Sequence, residues 1–207
     1  PNSSAAIAAA RDKLRCHQLL AARGIAQPTT VFGDHSLDTP GLLRMLGPPP
    51  HVIKLNEGSQ GAGVSLAANA HASRGAIDTL RALRADFLVQ DYVAESRGAD
   101  LRCVVVGDAV VAAIRRQGSL GEFRSNLHLG GVAEAVTPGL EEVALAVAAA
   151  KVVGLGVAGV DLIRAERGLL VLEVNASPGL EGVEEATRED VAGRIIEYVA
   201  ALTLGQG

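Results

Sequence analysis

Two carboxylates and an amide lie on one face of a predicted β-hairpin near the end of the chain. The segment VAGVDLIRAERGLLVLEVN reads as two strands joined by a turn at residues 166–168. Because side chains alternate between the two faces of a strand, Glu173 and Asn175 share a face, and the turn places Asp161 across from Glu173. Adjacent carboxylates repel each other unless a cation lies between them. These oxygen donors suit Mg²⁺ that bridges phosphates, so the hairpin predicts a metal site, with solvated acids on an exposed face as the alternative.

A lysine precedes a glycine-rich loop in the segment KLNEGSQGAGV. Lys54 ends a predicted strand, and Gly58, Gly61 and Gly63 follow it. Glycines let backbone N–H groups approach phosphate oxygens closely, and the lysine adds a positive charge. The spacing matches neither a Walker A motif nor a dinucleotide-binding fingerprint. The loop alone is compatible with a flexible hairpin tip, whereas a metal site elsewhere in the chain favours a flap that covers phosphates.

Two further segments carry polar groups at predicted strand ends. The first is QDYVAESRGAD, in which backbone groups could bind an adenine edge and Asp100 could bind ribose hydroxyls. The second contains Arg115 and Arg116, followed by Arg124, Ser125 and Asn126. Arginines in such positions can stabilise a transferring phosphoryl group or an acyl phosphate. The alternatives are an ordinary strand end with a loop acid, and a solvated sheet edge.

Predicted strands and helices alternate along the chain that carries these residues. Helices are expected over residues 5–23, 73–84, 137–153 and 187–202, with Thr137 as the cap of the third and a capping box of Thr187 and Asp190 on the fourth. Strands are expected over residues 29–32, 51–55, 64–67, 87–93, a hairpin over 100–116 that turns at Gly107, and the hairpin over 157–175. Residues 122–131 read as a loop. Antiparallel hairpins combined with helices predict an α+β fold.

Composition excludes several classes of partner. The net charge of −4 and the absence of a basic block argue against nucleic acid and anionic membranes as partners. No apolar run approaches the roughly 18 residues of a membrane span. Cys16 and Cys103 match no metal-ligand spacing and read as buried free thiols, which suits a reducing compartment and predicts a cytoplasmic protein.

The order of these motifs resembles the ATP-grasp superfamily, and within it the RimK-type α-L-glutamate ligases. The segments that carry the resemblance lie between Arg11 and Val199 and are RDKLRCHQLLAARGI, VIKLNEGSQGAGV, FLVQDYV, DLRCVVVGDAVVAAI, FRSNLHLGG, VAGVDLIRAERG and EVNASPGLEG. The resemblance implies an ATP-grasp fold, in which two α+β subdomains with antiparallel sheets hold ATP between them. The expected division is residues 1–49 as a helix and linker, 50–93 as the small subdomain with the flap, and 94–207 as the C-terminal subdomain with the metal site.

The resemblance also implies a role for each candidate residue. The implied ATP ligands are Lys13, Lys54 and Gly61 for the phosphates, Gln90, Asp91, Tyr92 and Val93 for adenine (mostly through backbone groups), Asp100 for ribose, and Arg124, Ser125 and Asn126 around the phosphates and the acyl group. Arg115 or Arg116 would stabilise the tetrahedral intermediate, and Arg124 would assist. Asp161, Glu173 and Asn175 would bind two Mg²⁺ or Mn²⁺ ions.

The implied reaction is ATP-dependent addition of L-glutamate to the C-terminus of a small-subunit ribosomal protein through an acyl phosphate, by a homo-oligomer. A small acid, a carrier protein or a cofactor tail remains open as the acceptor, and so does a module that binds nucleotide without catalysis. The intact set of Lys54, Asp161, Glu173 and Asn175 argues against that last alternative. Family members carry an additional N-terminal domain before the lysine helix, so a sequence that begins at Pro1 leads us to expect a truncated, cleaved or minimal form.

Overall fold

The structure, a computed structural model, describes residues 2–34, 38–58, 62–119, 121–125 and 130–204. The helices are α1 (Ser4–Arg11), α2 (Lys13–Ala22), α3 (Thr39–Arg44), α4 (Ala70–Ala82), α5 (Leu140–Val153), α6 (Glu181–Thr187) and α7 (Val191–Leu204), with a short 3₁₀ turn at Ala94–Ser96. The strands are β1 (Thr30–Gly33), β2 (His51–Leu55), β3 (Val64–Ala67), β4 (Phe87–Asp91), β5 (Ala99–Val106), β6 (Ala109–Gln117), β7 (Val132–Ala135), β8 (Val157–Ala165) and β9 (Gly168–Asn175).

The strands form two antiparallel sheets, which confirms the predicted α+β class. The smaller sheet has the order β1-β4-β2-β3, and the larger sheet has the order β7-β6-β5-β8-β9. The first sheet covers residues 30–91 and the second covers residues 99–175. Strand β1 pairs with β4 although it precedes residue 50, the expected start of the small subdomain. The expected subdomain boundaries stay a prediction. The small sheet, however, includes β1, which that division placed in the preceding helix and linker.

The first predicted helix is interrupted at Asp12, so the sequence-based expectation of one continuous helix was wrong. Asp12 has an extended backbone, and its Oδ1 accepts a hydrogen bond of 3.0 Å from the N–H of Arg15. The same Oδ1 accepts a bond of 3.1 Å from Nδ2 of Asn56. A short acidic side chain that binds a backbone N–H three residues ahead is an N-cap, and it starts a new helix at Lys13.

Other helix boundaries were displaced by a few residues. Helix α4 begins three residues before Ser73, because Asn69 caps it. Helix α5 begins at Leu140 rather than after a cap at Thr137, and the N–H of Gly139 donates to Oε2 of Glu142 at 2.8 Å. Neighbouring residues can each begin a helix, and the hydrogen bonds made in the folded chain decide which of them does, so predicted helix starts differ by a few residues.

Helix α6, near the end of the chain, was not predicted from the sequence. Thr187 closes helix α6, and its hydroxyl donates to the carbonyl of Val183 at 2.7 Å. It therefore does not cap the last helix. Asp190 has that role, since its Oδ1 accepts the N–H of Gly193 at 2.7 Å, and Oε1 of Glu184 accepts the N–H of Ala192 at 2.8 Å. Strand β7 was likewise not predicted, because its side chains are mostly exposed and lack a clear alternation.

Two of the hydrophobic cores among the described residues join helices to the two sheets, and a further core packs α6 and α7 against the larger sheet. Helices α1, α2 and α5 pack against the larger sheet around Leu20, Val105 and Val160, whereas α3 and α4 cover the smaller sheet around Ile77 and Phe87. Helix α2 also contacts the loop after β2. Through these contacts the larger core holds one end of α2 beside the smaller sheet. Within the described part of the chain, no helix combines the length and apolar content needed to cross a bilayer.

Candidate active site

A cleft of about 940 Å³ lies between the two sheets and helix α2. It collects most of the residues that the sequence singled out. The predicted site residues that line it are Lys13, Lys54, Gln90, Asp91, Tyr92, Val93, Asp100, Arg116, Arg124, Ser125, Asp161, Glu173 and Asn175. Gly61 and Asn126 lie outside the described residues. A single concave site therefore joins motifs that are separated by more than a hundred residues in the sequence.

The proposed metal ligands are paired as the hairpin pattern predicts. Strands β8 and β9 place Asp161 opposite Glu173 and Gly159 opposite Asn175. In the described part of the chain, half-buried Glu173 makes no hydrogen bond or ion pair, and Nδ2 of Asn175 is buried without a partner. No three His, Cys, Asp or Glu side chains of the described residues form a metal-binding group, so the candidate set is two carboxylates and one amide.

Asp161 already has cationic partners, which are the guanidinium groups of two arginines. Arg102 donates from Nε to Oδ1 and from Nη2 to Oδ2, each at 2.7 Å. Nη2 of Arg116 lies 2.9 Å from Oδ2. Burial raises the pKa of Asp161, but Arg102 and Arg116 outweigh burial and the pKa is lowered. Sequence reasoning missed Arg102, although period-two alternation along β5 from Asp100 would have placed it on the same face.

Asp100 anchors the neighbouring part of the cleft floor. Arg116 donates to its two oxygens at 2.7 Å and 2.5 Å, and the Ser125 hydroxyl donates to Oδ2 at 2.5 Å. Burial and the nearby charge of Asp161 raise the pKa of Asp100 against the opposing effect of Arg116. The residue expected to bind ribose thus also holds Arg116 and the Ser125 segment in place.

The two candidate phosphate-binding lysines reach the cleft from different elements. Half-buried Lys54 stands near the end of β2, where burial lowers its pKa and the charge of Glu173 opposes that shift. Lys13 begins α2, and its Nζ donates to the carbonyl of Gly58 at 2.9 Å. The N–H of Leu14 donates to Oδ1 of Asn56 at 2.9 Å, which fixes α2 to the start of the glycine-rich loop.

The predicted adenine pocket lies at the end of strand β4. Gln90 is buried, and its Nε2 donates to the hydroxyl of Thr30 at 2.8 Å. The N–H groups of Asp91 and Tyr92 donate to the carbonyls of Thr29 and Pro50. The N–H of Val93 has no such partner among the described residues. Val93 is therefore the backbone donor of this segment that remains for a base.

Arg115 is placed away from the cleft, whereas Arg116 faces into it. Adjacent residues of strand β6 point to opposite faces of the sheet. The Arg115 side chain is 43% exposed, lies 3.9 Å from Glu134 and donates to Gln117 at 2.8 Å. The sequence left open which of the two arginines would contact the reacting groups. The geometry favours Arg116, together with Arg124, which lines the cleft beside its ion-pair partner Glu122.

Helix α2 contributes two cleft residues that the sequence did not assign to the site. Cys16 and His17 follow Lys13 by three and four residues, so they share its face of the helix. Burial, reinforced by Glu173, raises the pKa of the Cys16 thiol to about 12. Burial and the charge of Lys54 lower the pKa of His17 to about 4. Both side chains are therefore neutral near pH 7, and they leave the lysines as the cations on this wall of the cleft.

Comparison with known proteins assigns this architecture to a family. The model of the RimK-like ATP-grasp domain matches residues 10–199. A probable alpha-L-glutamate ligase of Xanthomonas campestris pv. campestris (strain B100) is 61% identical over 199 residues, which are 96% of this chain and 68% of the relative. The corresponding protein of Stenotrophomonas maltophilia (strain K279a) is 61% identical over 202 residues, which are 98% of this chain and 69% of the relative.

Solved structures show the same architecture. The ATP-grasp ligase PsnB complexed with a minimal precursor has a TM-score of 0.75 and 27% identity, covering 98% of this chain and 63% of that one. The same ligase with minimal precursor, Mg and ADP has a TM-score of 0.73 and 25% identity, covering 96% of this chain and 61% of that one. D-alanine–D-alanine ligase from Bacillus anthracis (TM-score 0.75, 17% identity, 100% and 72% covered) supports the fold alone. The chain thus spans less than two thirds of the length of PsnB.

Proposed function

This chain belongs to the RimK-like ATP-grasp family, and from that premise we propose that it is an ATP- and Mg²⁺-dependent ligase that adds L-glutamate to the C-terminal carboxylate of a protein. The observation that carries the proposal is the cleft, which is lined by Lys13 and Lys54 together with Asp161, Glu173 and Asn175. Cations for phosphate oxygens and hard oxygen donors for a divalent ion are what a nucleotide-dependent ligase requires.

The residues present fit a divalent metal ion. The Glu173 carboxylate makes no hydrogen bond or ion pair with the described residues, Oδ1 of Asn175 is an amide oxygen donor on the same strand, and the Asp161 carboxylate lies opposite Glu173. Mg²⁺ bound there would neutralise charge on phosphate oxygens. The complex of PsnB with Mg and ADP supports the use of both by a related ligase. We extend this to two ions, Mg²⁺ or Mn²⁺, at this hairpin.

The proposed chemistry has two steps. A carboxylate oxygen of the acceptor attacks the γ-phosphorus of ATP, and the bond from that phosphorus to the oxygen that bridges it to ADP breaks. ADP leaves, and the acceptor carboxylate has become an acyl phosphate. The amine of L-glutamate then attacks the acyl carbon, a C–N bond forms, phosphate leaves and the amine loses a proton. Lys13 and Lys54 bind the phosphates, and the Gly61 flap and Asn126 are proposed to cover them. Arg116 and Arg124 stabilise the oxyanion of the tetrahedral intermediate.

The nucleoside part of ATP is proposed to lie at the end of β4. Gln90, Asp91, Tyr92 and Val93 would surround adenine, with the N–H of Val93 as the free donor and the apolar side chains of the cleft against the base. Asp100 would bind the ribose from its position beside Ser125. Each of these contacts positions the γ-phosphate relative to the acceptor, which is the main requirement of phosphoryl transfer.

The acceptor is proposed to be a small-subunit ribosomal protein. The relatives named probable alpha-L-glutamate ligases support glutamate as the amine. A second candidate acceptor is a short peptide, because PsnB was solved with a minimal precursor. The proposed setting is the cytoplasm, with the chain in a homo-oligomer and without a nucleic-acid or membrane partner.

The test is the intact mass of a small-subunit ribosomal protein after incubation with this chain, ATP, Mg²⁺ and L-glutamate, with ADP measured in parallel. A ladder of added glutamyl units is the expected result. Glu173→Gln should abolish both signals, and Glu189→Gln, which removes an exposed acid outside the cleft, should preserve them. ATP binding without a ladder would redirect the proposal to the peptide acceptor or to a non-catalytic module. Absence of ATP binding would contradict it.

A further inference from the structure

Four charged side chains of alternating sign cross the floor of the cleft. This charge network consists of Arg116, Asp100, Arg102 and Asp161. Asp100 pairs in register with Arg116 across β5 and β6, and Arg102 pairs with Asp161 across β5 and β8. All four line the cleft, and the Asp161 side chain is only 3% exposed. Two positive and two negative charges cancel, so the floor is neutral as it stands.

Of the three proposed metal ligands, Asp161 is bonded within the charge network, whereas the side chains of Glu173 and Asn175 are not part of it. Three guanidinium N–H groups donate to the two oxygens of Asp161 at 2.7 Å, 2.7 Å and 2.9 Å. Arg102 supplies two of these bonds, and within the described residues it makes no other hydrogen bond or ion pair. Glu173 and Asn175 make none with the described residues. An ion that enters the site therefore meets two available ligands and one carboxylate held by cations.

We propose that Arg102 is a positioning residue that holds and neutralises Asp161 before an ion binds, so that a divalent cation has to displace the Arg102 guanidinium to reach this carboxylate. The proposal rests on the metal site of the proposed function and adds a competitor to it. A guanidinium about 5 Å from a divalent ion repels it strongly, even at the screening typical of a protein surface. The ion-free protein therefore has a low affinity for divalent cations.

Nucleotide binding removes this competition. Phosphate oxygens are strong acceptors for guanidinium groups, so a bound triphosphate offers Arg102 an alternative partner within the same cleft. Arg116 keeps its bidentate contact with Asp100 and its contact with Oδ2 of Asp161, so the release of Arg102 makes Oδ1 of Asp161 available to the ion. Ion and ATP binding are then coupled through Arg102, and each increases the affinity for the other by the same factor. A purely structural Arg102–Asp161 pair predicts the opposite result on removal of Arg102, because a misplaced Asp161 would bind an ion more weakly.

The experiment is a Mn²⁺ titration of the nucleotide-free protein, followed by the electron paramagnetic resonance signal of free Mn²⁺. Arg102→Gln should lower the Mn²⁺ dissociation constant at least tenfold. Arg167→Gln removes the same charge from an exposed position at the turn of the β8–β9 hairpin and should leave it unchanged. The double variant Arg102→Gln/Asp161→Asn should lose the increase in Mn²⁺ affinity. Unchanged or weaker Mn²⁺ binding by Arg102→Gln would overturn the inference.

A second measurement uses the unaltered protein and does not depend on the stability of a variant. Saturation with Mg²⁺ and a non-hydrolysable ATP analogue should shift the Arg102 Nε–H resonance, because its acceptor changes from the Asp161 carboxylate to a phosphate oxygen. An Arg102 resonance unaffected by saturation would contradict the exchange of partners. If the wild type ligates glutamate but Arg102→Gln shows no increase in Mn²⁺ affinity, this inference is refuted and the proposed function is not. Failure of all variants to bind Mn²⁺, with or without the analogue, contradicts the metal site itself.

Discussion

Replacement of Arg116 by methionine should destabilise the protein strongly, because it leaves two buried carboxylates with too few cations. Arg116 donates to both oxygens of Asp100 and to one oxygen of Asp161, and its side chain is 5% exposed. Methionine retains much of the side-chain volume and removes the charge. Asp161 would keep Arg102, but among the described residues Asp100 would keep the hydroxyl of Ser125 as its one side-chain hydrogen-bond donor.

The expected loss in the free energy of unfolding is about 3–5 kcal/mol near pH 7, which is typical for removal of one partner from a buried ion pair. The matched control is Arg115→Met, on the same strand. Arg115 and its partner Glu134 are 43% and 67% exposed and 3.9 Å apart, so the loss there should be about 0–1 kcal/mol.

The loss should also depend on pH in a defined direction. Burial and the charge of Asp161 already raise the pKa of Asp100 in the wild type, and removal of Arg116, which opposes them, should raise that pKa further. The folded variant then binds a proton more tightly than the unfolded chain, so acidification stabilises it. The difference from wild type should therefore narrow as the pH falls through the raised pKa of Asp100.

Urea unfolding followed by far-ultraviolet circular dichroism measures both effects. The sequence contains no Trp, so helix content is a better signal than fluorescence. A loss below about 1 kcal/mol, or one equal to that of Arg115→Met, would refute the view that Arg116 compensates two buried carboxylates. A loss that grows on acidification would refute the assignment of Asp100 as the unpaired group.

Three further predictions concern single side chains of the cleft and core. Glu173→Gln should leave the free energy of unfolding within about 0.5 kcal/mol of wild type, since the half-buried Glu173 makes no hydrogen bond or ion pair with the described residues. ADP release should fall at least about 100-fold, and retained turnover would contradict the role of Glu173 as a metal ligand. Burial raises the pKa of Cys16 and of Cys103 to about 12, so neither thiol should react with Ellman's reagent at about pH 8 until urea unfolds the chain, and rapid labelling of the native protein would show that they are accessible. Burial and Lys54 lower the pKa of His17 to about 4, so its ring resonances should titrate near that value. Because the unfolded chain protonates His17 first, this residue should reduce stability as the pH falls from about 6.5 to about 4, and titration of the folded protein near pH 6.5 would contradict its burial.

Much of the fold follows from short-range patterns in the sequence. The alternation in VAGVDLIRAERGLLVLEVN correctly predicts the hairpin, its turn and the pairing of Asp161 with Glu173. The predicted cap residues locate the starts of α5 and α7 only to within a few positions, because neither Thr137 nor Thr187 is the cap. The break at Asp12 was not predicted. Its side chain accepts hydrogen bonds from the N–H of Arg15 and from the amide of Asn56, and Asn56 lies in the loop after β2, 44 residues away in the sequence.

The candidate site was predictable as a set of residues but not as a set of contacts. Strand periodicity places Arg115 and Arg116 on opposite faces, yet it does not say which face meets the other sheet. Likewise, the sequence predicts a divalent metal ion at Asp161 but gives no indication of the guanidinium groups beside it. The structure supplies Arg102 and Arg116 because β5 lies between β6 and β8 in the larger sheet.

The sequence by itself therefore determined the α+β class, the oxygen donors of one hairpin and the lysines beside a glycine-rich loop, since each depends on residues within about one element of each other. Only the tertiary structure decided that these motifs line one cleft, that Arg116 rather than Arg115 faces it, and that Asp161 is held by guanidinium groups. The physical reason is that burial and charge compensation are shared between strands that are distant in sequence. The free energy of a buried carboxylate depends on which neighbours the sheet order provides.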